Sequence, residues 1–321
     1  MTNSNRKSFW KIARLIFGVT LLVYFIATIG AGGIAEQIRS CDPAWIIAAL
    51  VIMTAVRILM AMRWHYVLAS QGIDVSLREI IRITFVAIFV GRFLPGSVGS
   101  DVVRGYELIS RHGKPAGVMT TLVLDRFIGA CTTFLIAGTG ALLIEGNAPV
   151  QRLAVPLFLI LTGIVVGWIL AAALIDRLES LTFDGHATIE RAWRKLMPML
   201  HSLTDTRRML GILPRMLLYS IAVQMMRCIV YYCLFRSLGA NVAVVDCMVF
   251  IPLVYVVIML PISIGGIGTG QAALIYLYLM MGVASSVSLT AGILADVLRF
   301  AVALPGLVLW IAGARKSEAR S

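Results

Sequence analysis

The chain has 321 residues, of which 60% are hydrophobic and only 14% are charged, and its mean hydropathy is +0.92. Soluble domains are usually about half apolar, so this composition excludes a soluble globular protein and predicts an integral membrane protein. In a soluble protein, the net charge of +12 would suggest a nucleic-acid partner. Here the basic residues cluster between apolar runs, as the positive-inside rule describes for membrane proteins, and we expect no nucleic-acid partner.

Apolar runs set the expected order of membrane helices from the N-terminus. Residues 1–9 are basic and precede a first helix that ends near Gly32, so we expect a cytoplasmic N-terminus. An external loop then leads to Asp42, and Pro43 suits the first turn of a second helix that ends near Val67. The pattern therefore predicts two spanning helices before the chain returns to the cytoplasm.

A short apolar run follows at residues 83–94, and basic residues flank it on both sides. It has about a dozen apolar residues, whereas a spanning helix needs about 20. We therefore expect residues 83–110 to form a broken re-entrant hairpin. This hairpin would enter from the cytoplasm and turn at Pro95 and Gly96.

The remaining runs complete an all-α polytopic architecture. Residues 176–210 are polar, with apolar residues every three or four positions, which predicts an amphipathic helix on the cytoplasmic membrane surface. Residues 312–321 form a tail that we place in the cytoplasm. We expect about seven or eight transmembrane helices in a single domain over residues 1–321. After the first hairpin, long apolar runs predict spanning helices at 116–144, 153–175, 213–238 and 289–311.

Residues 249–283 contain a second broken stretch between two short apolar runs. This pattern fits either two thin spanning helices or one hairpin that enters from outside. Two hairpins entering from opposite faces would resemble the inverted repeats of transporters, whose interrupted helices meet at a midplane site. An inverted repeat is therefore one interpretation of the hydropathy pattern.

The stretch from Gly91 to Arg104 combines a proline, glycines, serines and charged groups at the end of an apolar run. Proline and glycine interrupt a helix, and interrupted backbone at membrane depth must be satisfied by protein or by a water-filled cavity. Ser97 or Ser100 suits the N-cap of the next helix, whose N–H groups and nearby arginines would bind a phosphate. The candidate binding residues here are Arg92, Pro95, Gly96, Ser97, Gly99, Ser100, Asp101 and Arg104.

Asp101 argues against a phosphate in this stretch, because a carboxylate repels a phosphate unless an arginine neutralises its charge. We therefore expect Asp101 to pair with Arg104, three residues later on the same helix face. Binding of substrate or of a proton would then open the pair. The alternative is a purely structural capped turn.

Ionisable side chains inside other apolar runs form a second candidate group. Such groups cost about 2.5 to 3.5 kcal/mol at the centre of a membrane helix, so they face the bundle interior and find partners. They form either a buried basic tract that a phosphate headgroup traverses or ion pairs that fix the helices. We expect Arg57 and Arg63, nearer a helix end, to reach the interface. The candidate residues are Asp125, Arg126, Arg227, Asp296 and Arg299.

The second broken stretch supplies the last candidate group. Its glycines lack the lysine and the preceding strand of a nucleotide-binding loop. Their spacing equally fits a helix-packing face, whereas the neighbouring Pro261 favours a broken helix. The candidate residues are Ser263, Gly265, Gly266, Gly268 and Gln271.

The sequence contains no nucleophile with a neighbouring base, no paired catalytic carboxylates and no metal-ligand spacing. We therefore expect no catalytic residues, no metal site and no cofactor. On the same grounds we expect that the protein is not an enzyme.

The two broken stretches resemble the signature segments of the lysylphosphatidylglycerol synthase transmembrane-region family, also called the UPF0104 or flippase-like membrane family. Its first segment reads approximately Leu-Pro-Gly-Ser-Val-Gly-Gly-Asp-Val-Val-Arg, and residues 94–104 match it except that Ser100 replaces a glycine. A family-like Leu-Asp-Arg follows at residues 124–126. The second segment reads approximately Pro-x-Ser-x-Gly-Gly-x-Gly-x-Arg-Glu; residues 261–268 match it, but Gly270 and Gln271 stand where Arg-Glu is usual.

The resemblance implies a flippase-like core. In two-part members this domain is fused to a cytosolic aminoacyltransferase domain and translocates the aminoacylated lipid. The 321-residue sequence leaves no room for such a transferase, so we expect no synthase activity. Some stand-alone members resemble proteins of hopanoid, other isoprenoid-lipid and glycolipid pathways, which widens the range of substrates.

The leading hypothesis is a multi-pass lipid translocase of the bacterial cytoplasmic (inner) membrane, with both termini cytoplasmic. Its substrate would be a phospholipid, an aminoacyl-lipid, or an isoprenoid lipid or glycolipid. One alternative is a non-transporting subunit that recruits a lipid-modifying enzyme at the cytoplasmic face through residues 176–208. A second is a membrane-embedded transferase with a lipid-phosphate donor and with Asp101 or Asp125 as base. The expected partners are membrane lipids, and the sequence leaves the oligomeric state open.

Overall fold

The computed structural model of the chain describes residues 19–28, 30–92, 99–178, 206–260, 262–263 and 265–318. In these ranges the regular secondary structure is entirely α-helical, which confirms the predicted all-α class. The helices are, in chain order, α1 (Val19–Thr28), α2 (Ala31–Ser40), α3 (Pro43–Ser70), α4 (Leu77–Gly91), α5 (Gly99–His112), α6 (Pro115–Leu143), α7 (Ala148–Gln151), α8 (Ala154–Leu178), α9 (Thr206–Ser237), α10 (Val244–Met259), α11 (Thr269–Leu279) and α12 (Ser285–Glu318).

Within the described residues, five of these helices, α3, α6, α8, α9 and α12, are long and apolar enough to cross a membrane. Helix α10 is a shorter apolar helix, and the described part of α1 is also apolar. A helix rises about 1.5 Å per residue, so a helix of about 20 residues matches the hydrocarbon core of a bilayer. The fold is therefore that of a polytopic membrane protein, as the composition predicts.

Helix α3 begins where the sequence predicts, because two features favour a helix start there. The Asp42 side chain accepts a hydrogen bond from the Ala44 backbone N at 2.9 Å, and Pro43 occupies the first helical turn. The Asp42 backbone N also donates to the Ser237 carbonyl oxygen at 2.9 Å. This bond places the start of α3 beside the end of α9, so the two long helices pack antiparallel.

The segment before Asp42 is not the expected loop, because residues 31–40 form helix α2. Gly30 lies between α1 and α2, and its φ of 96° is a conformation that favours glycine. Helix α2 then docks on α12 through Gln37, whose Nε2 donates to the Ser286 Oγ at 3.0 Å and whose Oε1 accepts from the Thr290 Oγ1 at 2.8 Å. These tertiary contacts are invisible in the hydropathy pattern.

Helices α4 and α5 form a pair that starts and ends at the same end of the bundle. Their lengths are 15 and 14 residues, too short to span. Near the start of α4, Glu79 Oε1 lies 3.3 Å from the Nε2 of His112, the last residue of α5. Lys114 Nζ donates to the Gly72 carbonyl oxygen at 2.6 Å, beside the C-terminal end of α3. We call this pair the first hairpin; its predicted turn at Pro95 and Gly96 lies outside the described residues.

Helices α10 and α11 form a second hairpin at the opposite end. They have 16 and 11 residues, and α10 begins shortly after the end of α9. After α11, Met281 Sδ lies 3.3 Å from Nδ2 of Asn147, which follows the C-terminal end of α6. Both ends of this pair therefore lie at the end of the bundle where α3 begins. Both arrangements left open by the sequence for residues 249–283 would place the two ends there, but helices of 16 and 11 residues are shorter than the about 20 residues of a spanning helix, so the lengths fit the re-entrant arrangement.

An aromatic core holds the second hairpin in place. The rings of Phe235 and Tyr278 lie 4.4 Å apart between centroids, and those of Phe250 and Tyr278 lie 5.4 Å apart. All three side chains are fully buried. Because they come from α9, α10 and α11, the core joins both arms of the second hairpin to a spanning helix.

Several predicted segments fall mainly outside the described residues. These are the basic N-terminus at 1–9 and most of the amphipathic segment at 176–210, of which 179–205 are not described. The predicted tail at 312–321 is described as far as Glu318, and there it continues helix α12.

The packing of α12 on the first hairpin generates a stability prediction. A Cβ added at Gly306 of α12 would lie 2.1 Å from the Phe85 carbonyl oxygen of α4. Backbone cannot move aside as a flexible side chain does, so Gly306→Ala should destabilise the fold by about 1–3 kcal/mol. Thermal unfolding of the purified protein in detergent would show this as a lower melting temperature.

The matched control is Gly167→Ala in α8, where an added Cβ meets nothing within 4 Å. Alanine favours a helix over glycine by roughly 1 kcal/mol, so this variant should melt at or above the wild-type temperature. Equal melting temperatures for the two variants would contradict the close approach of α12 to α4.

Candidate functional site

A cavity of about 400 Å³ lies where the two hairpins meet. The first hairpin lines it with Gly91, Arg92 and Ser100, and the second hairpin with Met259 and Gly265. Helices α3, α6, α9 and α12 complete the wall. The two broken stretches, about 170 positions apart in the chain, therefore converge on one chamber inside the helical bundle.

The chamber carries an excess of positive charge. Its lining in the described part of the chain contains seven arginines but only two carboxylates, Asp101 and Asp125. Charged side chains within membrane helices are costly and are kept where they have partners or a polar cavity. The arginines are Arg57, Arg63, Arg92, Arg104, Arg126, Arg227 and Arg299.

Asp101 of α5 binds two of these arginines. Arg126 Nε donates to Asp101 Oδ2 at 2.6 Å, and Arg104 Nη1 lies 3.8 Å from Asp101 Oδ1. The expected pair with Arg104 is therefore present at the longer distance, while the closer partner comes from α6. Arg104 also lies over the Trp64 ring, with its guanidinium carbon 5.4 Å from the ring centroid. One carboxylate thus ties the first hairpin to α6 and is shared by two positive charges.

Asp125 of α6 pairs with Arg63 of α3 rather than with its own neighbour in sequence. Arg63 Nη2 lies 2.7 Å from Asp125 Oδ1, and Arg63 Nη1 donates to the Ser220 Oγ of α9 at 2.6 Å. Arg63 is only 4% exposed. The expectation that Arg63 reaches the interface is therefore wrong, since three helices bury its guanidinium at the chamber wall.

A third set of contacts joins the second hairpin to α12. Gln271 of α11 donates from Nε2 to Asp296, and Asp296 Oδ1 lies 3.0 Å from Arg299 Nη2. The Gln271 Oε1 accepts a hydrogen bond from the Gly268 backbone N at 2.7 Å. Gln271 therefore connects the broken backbone of the second hairpin to an arginine of the chamber through one carboxylate.

Three chamber arginines have no carboxylate partner in the part of the chain that the structure describes: Arg57, Arg92 and Arg227. The closest polar contacts of Arg227 are Gln224 Oε1 at 3.4 Å and Met60 Sδ at 3.5 Å, and its guanidinium carbon lies 4.7 Å from the Tyr255 ring centroid. A thioether sulfur is a weak acceptor. The Nε atoms of Arg57 and Arg92 are buried without a hydrogen-bond partner.

Glycine allows the second break to approach α10 closely. Gly265, Gly266 and Gly268 have φ values of 64°, 80° and 80°, a region that favours glycine. A Cβ at Gly266 would lie 2.7 Å from the Ile258 side chain. Across the turn, the hydroxyl oxygens of Ser263 and Thr269 lie 2.7 Å apart. The glycines therefore allow the backbone conformation of the second broken stretch, and they allow the two arms of the second hairpin to pack closely.

The structure divides the predicted site residues into three sets. Those that line the chamber are Arg92, Ser100, Asp101, Arg104, Asp125, Arg126, Arg227, Gly265 and Arg299. Those that are described but do not line it are Gly99, Ser263, Gly266, Gly268, Gln271 and Asp296. Those that lie outside the described residues are Pro95, Gly96 and Ser97.

Of the two predicted N-caps, Ser100 is wrong, because α5 already begins at Gly99, and Ser97 lies outside the described residues. Ser100 is therefore within the first helical turn, and its backbone N would lie only 2.6 Å from a Cβ built on Gly91. The end of α4 and the start of α5 are thus in direct contact. A glycine at 91 is needed for that approach.

Sequence reasoning missed several chamber residues, above all Arg57, Tyr255 and Gln224. A signal for Arg57 was present, because it lies halfway along the 28 residues of α3. About 20 Å of helix separates it from either end, which is too far for its side chain to reach the interface. Tyr255 and Gln224 carry no comparable signal, since nothing in an apolar run marks which face meets a cavity.

The buried pair of Arg63 and Asp125 generates a second prediction. Asp125→Asn would leave the Arg63 charge buried without compensation, which typically costs about 3–5 kcal/mol. We expect a melting temperature several degrees below wild type in detergent. Removing both charges in Arg63→Gln/Asp125→Asn should recover part of this loss.

The control is Glu107→Gln, which breaks the 2.8 Å pair between Arg111 and Glu107 on the surface of α5. Surface pairs contribute about 0–1 kcal/mol, so this variant should melt close to wild type. Equal losses for the two single variants, or a double variant worse than Asp125→Asn, would contradict the role of the buried pair.

Comparison with known proteins agrees with this architecture. The family model described as lysylphosphatidylglycerol synthase TM region matches residues 11–306, which include both hairpins and the whole chamber. A UPF0104 membrane protein of Methanothermobacter thermautotrophicus is 23% identical over 305 residues, covering 89% of this chain and 90% of the relative. The chain therefore belongs to the lysylphosphatidylglycerol synthase TM region family.

Proposed function

We propose that this protein is a lipid translocase that moves a lipid with an anionic headgroup from one leaflet of the membrane to the other. A lipid-related role is plausible for a membrane domain of this family, whose description refers to the synthesis of a modified phospholipid. The observation that carries the proposal is the chamber between two opposed hairpins, lined by more arginines than carboxylates.

The positive charge of the chamber argues for an anionic substrate. Arg57, Arg92 and Arg227 have no carboxylate partner in the described ranges, so an anion would compensate charge that the protein leaves uncompensated. Arginine is well suited to phosphate because its planar guanidinium donates two parallel hydrogen bonds. A phosphate group on a lipid meets both requirements.

The size of the chamber suits a headgroup rather than a whole lipid. Small-molecule sites enclose about 300–1,000 Å³, and about 400 Å³ lies at the lower end of that range. We therefore propose that the headgroup enters the chamber while the acyl or isoprenoid tails stay in the bilayer. Transfer would require the chamber to open alternately towards each face, as in transporters built from opposed broken helices.

The two hairpins are the natural moving parts, because each enters from a different end of the bundle. The first is tied to α6 by the Asp101 ion pairs, and the second is tied to α12 by Gln271 and Asp296. We propose that a phosphate competing for Arg126 or Arg299 loosens the contact at one hairpin and favours opening on that side.

The transferase alternative has less support. In a transferase, Asp101 or Asp125 would act as base, yet Asp101 binds Arg126 and Asp125 binds Arg63, so each would first have to leave its arginine. An enzyme-recruiting subunit would use residues 176–208, most of which lie outside the described ranges. We propose that the protein is not itself an enzyme and that its partners are membrane lipids.

Lipid movement in vesicles tests the proposal. The purified protein would be reconstituted with trace amounts of tail-labelled fluorescent phospholipid, and a membrane-impermeant quencher would report how much label reaches the outer leaflet. We expect the protein to accelerate exchange, and Arg227→Gln to slow it at least about tenfold, as expected for loss of a charge-assisted hydrogen bond.

The matched control is Arg152→Gln, which removes an exposed arginine that does not line the chamber. This variant should exchange lipid at the wild-type rate. An exchange rate no higher than that of protein-free vesicles with any anionic lipid would overturn the proposed function. Equal slowing by both variants would overturn the role of the chamber.

A further inference from the structure

We infer that the chamber selects a headgroup bearing two or more negative charges on a terminal phosphate, as in a phosphomonoester or diphosphate lipid. The inference rests on the proposed function for its transport aspect, and on the chamber alone for its binding aspect. It excludes as preferred substrates both phosphodiester lipids and lipids whose headgroup carries an added amino acid.

The protein already compensates part of the positive charge of the chamber. Arg63 pairs with Asp125, and Arg299 pairs with Asp296. Arg104 and Arg126 both contact Asp101. Three positive charges in the described chamber have no carboxylate within ion-pair distance, and they belong to Arg57, Arg92 and Arg227.

The uncompensated arginines come from different helices and act on one another. Arg57 belongs to α3, Arg92 follows α4 and Arg227 belongs to α9. All three line one chamber together with Arg299, so their like charges repel one another. Like charges on separate helices would push these helices apart, so a multivalent anion between them would relieve a repulsion that the protein builds into its own fold.

The number of charges decides between headgroups. A phosphodiester brings one negative charge and leaves about two of these three positive charges uncompensated. A phosphomonoester carries about −1.5 to −2 at neutral pH, and a diphosphate carries more. A lysyl group on a phosphodiester would add positive charge to a chamber that already has an excess. The electrostatic order is therefore diphosphate and phosphomonoester first, phosphodiester next and aminoacylated lipid last.

The arrangement of donors also favours a terminal phosphate. Arg57 of α3, Arg92 at the end of α4 and Arg104 of α5 all line the chamber, and each guanidinium carries several N–H donors. A phosphodiester presents two free oxygens, whereas a terminal phosphate presents three, which suits donors arriving from α3, α4 and α5. The chamber thus offers more donors than a diester can satisfy.

Binding measured by competition tests this inference independently of transport. A tail-labelled fluorescent phosphatidic acid would be bound to the protein in detergent micelles and displaced by unlabelled phosphatidic acid or phosphatidylglycerol with identical acyl chains. We expect phosphatidic acid to bind about tenfold tighter at pH 8, since it gains at least one charge-assisted hydrogen bond. Equal affinities would overturn the inference.

The dependence on pH is a second readout. A phosphomonoester dianion takes up one proton at about pH 6 and loses one of its two negative charges, so the preference for phosphatidic acid should shrink severalfold between pH 8 and pH 5. The charged and titratable groups that face the chamber in the described ranges are arginines, Asp101, Asp125 and Tyr255, and no histidine is among them. A preference that does not change with pH would contradict charge as its cause.

Variants connect the preference to the chamber. Arg92→Gln and Arg227→Gln should each reduce the preference for phosphatidic acid, Arg227→Lys should retain most of it, and Arg152→Gln should leave it unchanged. A full preference in both glutamine variants would overturn the assignment to these arginines. Because the lysine variant keeps the charge, a loss in the glutamine variant alone cannot be attributed to misfolding.

Two further comparisons complete the test. The first distinguishes a lipid phosphate from free phosphate, and the second distinguishes headgroup selectivity from translocation. Inorganic phosphate should displace the probe only at concentrations at least about a hundredfold above phosphatidic acid, because it lacks the tails that hold a lipid beside the chamber. Equal displacement would assign the site to a soluble anion instead. Tighter binding of phosphatidic acid without lipid exchange in vesicles would support the selectivity and contradict translocation. Lipid exchange without tighter binding of phosphatidic acid would support translocation and contradict the selectivity.

Discussion

Uncompensated positive charge inside a membrane bundle is the constraint on which this structure depends. Each arginine at the chamber must be held by a carboxylate, by a polar side chain or by an anion from outside, since the bilayer offers no solvation. The chain meets this need by bringing Asp101, Asp125 and Asp296 from α5, α6 and α12 to arginines on other turns and other helices. These pairs position the helices around the chamber, and the arginines left over are the proposed binding groups for an anion.

The broken backbone of the two hairpins also needs polar partners inside the bundle. A helix that stops at membrane depth leaves N–H and C=O groups that need partners within protein or a polar cavity. Gln271 accepts from the Gly268 backbone N, and its other end reaches Asp296. A glutamate at this position, as the resemblance leads one to expect, would have no N–H to donate to Asp296. The glutamine therefore joins the break to α12 without placing a second negative charge beside Asp296.

Gly270 has a comparable explanation. The resemblance would place an arginine there, but a Cβ at this position would lie 3.1 Å from the Ile258 side chain. Together with Gly266, it allows the two arms of the second hairpin to pack against each other around Ile258. The chain thus omits a charged side chain from the break and closes its arms with an aliphatic contact instead.

Local patterns predicted much of the fold, whereas the site depended on contacts between distant residues. The Asp42–Pro43 signal located the start of α3, and the short apolar run after Arg82 predicted the first hairpin. The partner of Asp101 could not be predicted, because Arg126 lies 25 positions away on another helix and only the packing register brings them together. Arg63 was expected at the interface for the same reason, because only packing shows that α3 turns it towards the chamber. The central position of Arg57 in α3, by contrast, was a usable signal.

The most direct measurement is an experimental structure of the protein in lipid nanodiscs that contain phosphatidic acid, at a resolution that shows headgroups. The account predicts a phosphate within hydrogen-bond distance, about 2.7–2.9 Å, of guanidinium nitrogens from at least two of Arg57, Arg92 and Arg227, with its tails leaving the bundle between helices. A chamber that holds only water while lipids occupy the outer surface alone would contradict it.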